Sequence, residues 1–170
     1  MEKDRSQRSL VEEAIAGAVS GLAATVPMTI SMLVMQRMLP RRDQSTLEPQ
    51  RVSDDMLRRS HADNHMSAKQ ERQFSVVAHL GYGAASGMAY ALAERLLPLP
   101  RGIRGPVYGL FVWAASYAGW LPVVGTLPPP QRRPVNRNLL MIVAHFVWGL
   151  ALDIAASVLL GRQYAGSARR

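Results

Sequence analysis

The sequence predicts an all-α membrane protein with four transmembrane helices, arranged as two repeated helical hairpins, with one polar loop between helices 1 and 2. Three observations predict it. Apolar residues make up 48% of the 170, and they collect in four blocks instead of alternating with polar residues as around a soluble core. The charged residues collect between the blocks. Each block is long enough to cross a hydrocarbon layer, which takes about 20 helical residues.

The first block, residues 14–35, holds no charged side chain. Glu12 and Glu13 in the tail before it (residues 1–13) suit the positive end of a helix dipole. Arg37, Pro40, Arg41 and Arg42 close the block. The run is too long for the apolar part of a cleaved signal peptide and ends without a small-x-small pattern, so it reads as a retained span. Residues 37–73 form the polar loop. Within it, Ser53 ahead of Asp54, Asp55, Met56 and Leu57 reads as the cap of a short amphipathic turn at the membrane surface.

The second block, 74–97, is interrupted only by Glu94 and Arg95 near its end, and Pro98 and Pro100 stop it. The third, 103–127, contains Gly119 and Pro122, which bend or unwind its last part. Pro128, Pro129 and Pro130 then impose extended chain. The fourth, 139–160, includes Asp153 as its only charge, and a basic tail, 161–170, follows. Residues 14–160 read as a single domain.

Short echoes relate the blocks in pairs. Gly17-Ala-Val-Ser-Gly21 in the first resembles Gly105-Pro-Val-Tyr-Gly109 in the third. Ala78-His79-Leu-Gly-Tyr-Gly83 in the second resembles Ala144-His145-Phe-Val-Trp-Gly149 in the fourth. Each hairpin has two spans, so the halves share one orientation, as in other parallel-repeat membrane proteins. Gly17 and Gly21, Gly83 and Gly87, and Gly105 and Gly109 are each four apart, and with Gly149 they mark faces where helix backbones approach closely in lipid.

The net charge of +8 comes from a basic set that is mostly arginine and flanks the blocks, where it meets anionic headgroups. No aromatic-interleaved basic face suggests nucleic acid. The partners expected are the lipid bilayer and either further copies of the chain or other membrane proteins. The long first loop weighs little in the positive-inside rule, and the remaining charges favour both termini in the cytoplasm.

Ionisable groups inside spans are functional candidates, because an unpaired charge in hydrocarbon is costly. His79, Ser86, Tyr90 and Glu94 fall near one face of the second helix with Gly83, and His145 and Asp153 share a face of the fourth with Gly149. Hydrogen bonding between helices is the plainer use of such groups, and Glu94 beside Arg95 can snorkel to the interface. His79 and His145 fall at similar depth on helices running the same way, an arrangement that could ligate haem iron or a metal, or relay protons. Asp153, by the same depth argument, should bond a polar group of the second helix such as Tyr90 or Ser86. In the loop, His61 and His65 have metal-binding spacing if helical, near Asp54 and Asp63, but lack the glutamate of a catalytic zinc helix. Met28, Met32 and Met35 form a stripe that reads as packing before it reads as a copper(I) site. With no cysteine, thiolate chemistry is excluded, and no nucleotide loop or nucleophile elbow is present.

Several stretches together resemble the YagU-like family of bacterial inner-membrane proteins, whose function is unassigned. They are Ala16-Gly-Ala-Val-Ser20, the span from His79 past Gly83 to Ala93-Glu-Arg-Leu-Leu-Pro98, Gly105 to Gly109, Leu121-Pro-Val-Val-Gly-Thr-Leu-Pro-Pro129 and Ala144-His-Phe-Val-Trp-Gly149. The resemblance implies a multi-pass inner-membrane location and supplies no catalytic residues. The resulting expectation is a non-enzymatic role in permeation or membrane interaction, without a cofactor. Alternatives are haem or metal binding through His79 and His145, and a membrane-embedded lipid-modifying enzyme.

Overall fold

The computed structural model describes residues 2–44, 46–62, 65–94, 99–100 and 102–167, with side chains described between 10 and 159. Helices account for every regular element among them, and no strand occurs. Helix α1 runs Glu2–Met38 and so takes in the predicted tail. Helix α2, Glu48–Arg59, lies in the predicted loop. Helix α3 spans Ala68–Ala93, and α4 spans Arg104–Ala114. A six-residue π turn, Ala115–Trp120, leads from α4 to the short α5, Leu121–Val123. Helix α6 covers Val135–Ser167. The predicted end of the second span, residues 95–97, lies outside the described residues.

Local chemistry accounts for several boundaries. Ser67 and Gln70 form a reciprocal capping box at the start of α3, which satisfies two orphan backbone donors and starts the helix ahead of the predicted residue 74. Ser53 is not a cap. It lies within α2, and its hydroxyl donates to the Pro49 carbonyl at 2.8 Å; the helix begins instead after Leu47, with Pro49 in its first turn. In the third block Gly119 has non-helical backbone angles, φ −102° and ψ −108°, so the expected unwinding takes the form of a π turn.

Helix α1 packs on both α3 and α6, and α4 packs on α6. The α1–α3 and α4–α6 contacts both run through glycine. A methyl on Gly87 would lie 2.6 Å from the Gly21 Cα; one on Gly17 would meet the Gly87 carbonyl and the Ala91 side chain, and one on Gly83 the Thr25 hydroxyl. In the second pair, Gly105 faces Gly149 and Asp153, and Gly109 faces His145 and Gly149. By contrast, the backbones of α3 and α4 hardly approach each other.

Two helical stretches, Leu10–Met38 and Val135–Leu159, are long and apolar enough to cross a membrane by themselves. The other two expected spans differ physically: α3 opens on a polar turn, and the third is broken at the π turn. Large apolar side chains nevertheless face outward on all of these helices, among them Ile15 and Ile30, Val77 and Leu92, Phe111, and Phe146 and Ile154. The interior holds Ser20, Thr25, Arg104, His145 and Asp153 beside its apolar core.

Candidate functional site

Where α3 and α4 stand apart, a cavity of about 410 Å³ opens between them, with α2 across one end. Its wall is mostly apolar, including Met28, Val52, Tyr82, Val112, Leu121, Met141 and Trp148. Thr25, His79, Ser86, Ser116 and His145 supply polar atoms. Long side chains bridge the gap: the Tyr82 and Ser116 hydroxyls are 2.9 Å apart, and the Tyr108 hydroxyl donates to the Ser86 carbonyl at 2.8 Å.

Both histidines singled out in the sequence line this cavity. His145 Nδ1 lies 2.8 Å from the Met141 carbonyl. A carbonyl can only accept, so Nδ1 carries the proton, and in the neutral ring Nε2 presents a lone pair. The ring also meets Tyr117 edge-on, with centroids 5.7 Å apart. His79 Nε2 is buried with no hydrogen-bond partner among the described residues.

The other polar candidates of the apolar blocks gather elsewhere, at the end of the helices near the α3–α4 connection. The Tyr90 hydroxyl donates to Asp153 Oδ1 at 2.6 Å, which is the contact between the second and fourth apolar blocks anticipated from depth. Gly102 N–H donates to Oδ2 at 2.6 Å. Arg104 binds three members of the group: Glu94 at 2.5 Å, the Tyr90 hydroxyl at 3.1 Å and Asp153 at 3.4 Å. Asp153 is thus level with a helix connection and paired with a cation, where the sequence placed it far from either interface. Ser86 belongs to the cavity wall and Glu94 to this cluster, so the predicted polar set divides into two.

A third group joins α2 to the start of α6. Glu48, almost fully buried, receives Arg133 and Arg137 on its Oε1, the latter through Nη2 at 2.7 Å. Arg137 also donates to the carbonyls of Asp43 and Thr46. Nearby, Thr126 Oγ1 donates to Asp55 at 2.7 Å. This bond, followed by that from Arg59, holds the Asp55 carboxyl below the usual carboxylate range. Sequence reasoning missed Arg104, Glu48, Arg133 and Arg137. The only signal was an arginine just inside the third block and an acid in a loop whose arginines were read as lipid anchors.

His61 and His65 do not share a helix face, because α2 ends at Arg59 and His61 takes φ 55°. Both are exposed, and among the described residues no three histidine or carboxylate side chains gather as a metal site. Asp63 lies outside the described residues. Met28 and Met32 are core residues, with Met35 against them.

A family model described as "Protein of unknown function (DUF1440)" matches residues 16–154, most of the chain. No curated protein and no solved structure matches it.

Proposed function

The chain belongs to that DUF1440 family of unknown function, and we propose that its four long helical segments all cross the membrane as a bundle of two repeated hairpins, acting non-enzymatically by interaction within the bilayer. One observation carries this reading: apolar side chains face outward on α1, α3, α4 and α6 while charged and polar groups are inside. Water would make that distribution unfavourable, whereas lipid requires it. The doubled glycine contact, Gly17–Gly21 against Gly83–Gly87 and Gly105–Gly109 against Gly149, supports the repeat. The likeness to YagU-like proteins supports the bacterial inner membrane.

Interaction is favoured over permeation by the apolar character of the interior between the polar clusters. Along α6 the buried residues between Arg137 and Asp153 are Leu140, Met141, Ala144, His145, Trp148, Gly149 and Leu152. This largely apolar stretch separates the two polar clusters. Single-cysteine labelling tests the topology, since the chain contains no cysteine of its own. Val77→Cys and Phe111→Cys should resist a membrane-impermeant maleimide in intact membranes, and Ser60→Cys should label from one side only. Free labelling of Val77→Cys or Phe111→Cys, or release of the protein by alkaline carbonate, would remove the four-span reading.

A second reading rests on His79 and His145 lining one cavity, which leaves haem or metal ligation open to a direct test. A colourless preparation from a haem-replete host, free of bound transition metal, would dismiss it.

A further inference from the structure

The α1–α6 and α3–α4 interfaces are counterparts if the hairpins repeat, yet they are built differently. On the α1–α6 side, Trp148 Nε1–H reaches across to the Gly21 carbonyl at 3.2 Å, and the helices are tightly packed. Its sequence counterpart, Tyr82, reaches Ser116 instead, about two turns past the glycine that would match Gly21. The α3 surface here is small: a Cβ added to Gly81 would meet nothing within 4 Å. What remains is the cavity. Its lining includes the exposed side chains of Tyr82, Trp120 and Met56, so the cavity opens outward past large, mostly apolar groups.

We infer that this cavity binds a membrane-dissolved amphiphile, an apolar body carrying a hydroxyl head, with the head received by His79 and His145. The volume of about 410 Å³ falls within the range typical of small-molecule sites, roughly 300–1,000 Å³. An apolar wall with few polar groups suits a molecule that is itself mostly apolar. The head is specified by hydrogen bonding. With Nδ1 of His145 committed to the Met141 carbonyl, its neutral ring offers an acceptor on the other nitrogen, which calls for a donor. His79 Nε2 is buried and has no partner among the described residues, a state that costs free energy until a polar group reaches it. A hydroxyl both donates and accepts, so it serves both rings; a bare hydrocarbon serves neither. The exposed apolar side chains in the lining, set in the membrane read above, make the bilayer the source.

The inference rests on the membrane reading above, and the test separates the two. The purified protein is reconstituted into phosphatidylcholine vesicles and its insertion checked by flotation after an alkaline carbonate wash. Tryptophan fluorescence is then quenched with 11-bromo-1-undecanol or with 1-bromoundecane. Bromine quenches at contact, and Trp120 and Trp148 both line the cavity. The alcohol should give a saturable component above the linear background, and the alkane should bind at least about tenfold more weakly, the loss of one net hydrogen bond. His79→Leu and His145→Leu should weaken the alcohol to the same degree. Gly81→Leu should abolish saturation with the melting temperature kept, since the added side chain enters open space; it keeps the test decisive if a histidine variant does not fold. Linear quenching by both probes, unchanged in Gly81→Leu, would overturn the site. Equal saturable binding of both probes would overturn the hydroxyl head. Failure to float after the carbonate wash would overturn the membrane reading first, and the lipid source with it.

Discussion

Replacing Asp153 by Asn keeps the side-chain shape and removes the charge around which one end of the molecule is organised. The carboxylate takes the Tyr90 hydroxyl and the Gly102 N–H, each at 2.6 Å, and lies 3.4 Å from Arg104. An asparagine oxygen can keep the Gly102 bond while its NH2 turns to the Tyr90 hydroxyl as an acceptor, but both bonds then lose the carboxylate charge and the tyrosine proton loses its acceptor. Losing a hydrogen bond to a charged group costs about 1.5–3 kcal/mol. Breaking a buried ion pair outright costs about 3–5 kcal/mol, but Arg104 keeps Glu94 at 2.5 Å, so the lower part of that range applies. A loss of about 2–4 kcal/mol follows. The assay is reversible unfolding from mixed micelles, carried out as a double-mutant cycle with Arg104→Met. Because the partners touch, the double variant should lose less than the sum of the singles, by about 1–2 kcal/mol. Additive losses, or an Asp153→Asn loss within about 0.5 kcal/mol of zero, would refute the clustering of these charges.

Three further outcomes can be checked with the same preparation. Gly21→Ala should strongly destabilise the protein, since the methyl meets the Gly83 backbone and Gly87, whereas Gly81→Ala should be neutral or gain up to about 1 kcal/mol from helix propensity; melting temperatures of the pair decide. Glu48→Gln leaves Arg133 and Arg137 buried without their shared anion and should cost about 3 kcal/mol, read first as loss of amide protection in α2. The docking of α2 should also depend on pH: the Asp55 carboxyl is depressed in the folded protein by Thr126 and Arg59, so its contribution is complete above the ordinary carboxylate value of about 3.9 and is lost as pH falls through the folded value. Hydrogen exchange of α2 across that range should show the loss, and Thr126→Val should reduce it.

The parts of the structure that were legible in the sequence are those with a local period. Long apolar runs, one without charge and one with Asp153 alone, announced α1 and α6, and glycines four apart announced the surfaces where α1 meets α3 and α4 meets α6. Depth along a helix narrowed the partner of Asp153 on the second block to Tyr90 or Ser86, and Tyr90 is the one bonded. The start of α3 was also written locally, in Ser67 and Gln70, although the polar residues after it read as a lead-in. The charged clusters were illegible for a different reason. Glu48 meets Arg133 and Arg137 across half of the chain, and no periodicity joins residues so far apart. Arginines at block edges satisfy the lipid-anchor reading equally well, so only the tertiary arrangement distinguishes Arg104, bonded inward, from an arginine reaching for headgroups.

The cavity depends on a break in period that sequence patterning does not resolve. Up to the π turn, the inward face of α4 follows the helical repeat through Gly105, Gly109, Val112 and Ser116. Continued at 3.6 residues per turn, that face would next present Trp120 and Val123. The molecule does otherwise: Trp120 and Val123 are exposed, and Tyr117 and Leu121 are buried. One extra residue in a turn rotates everything after it by about 100°, which is the displacement from one set to the other. Gly119, with its non-helical backbone angles, lies within that turn. The slip places Trp120 at the cavity mouth and Leu121 in its wall, and it leaves Ser116 within reach of Tyr82. A regular helix here would turn the Trp120 indole inward, toward the space that the cavity now occupies. The opening between α3 and α4 is therefore coupled to the local geometry of six residues, Ala115–Trp120; under the repeat proposed above, the counterpart of α4 is α1, an α-helix that runs Glu2–Met38 without such a turn.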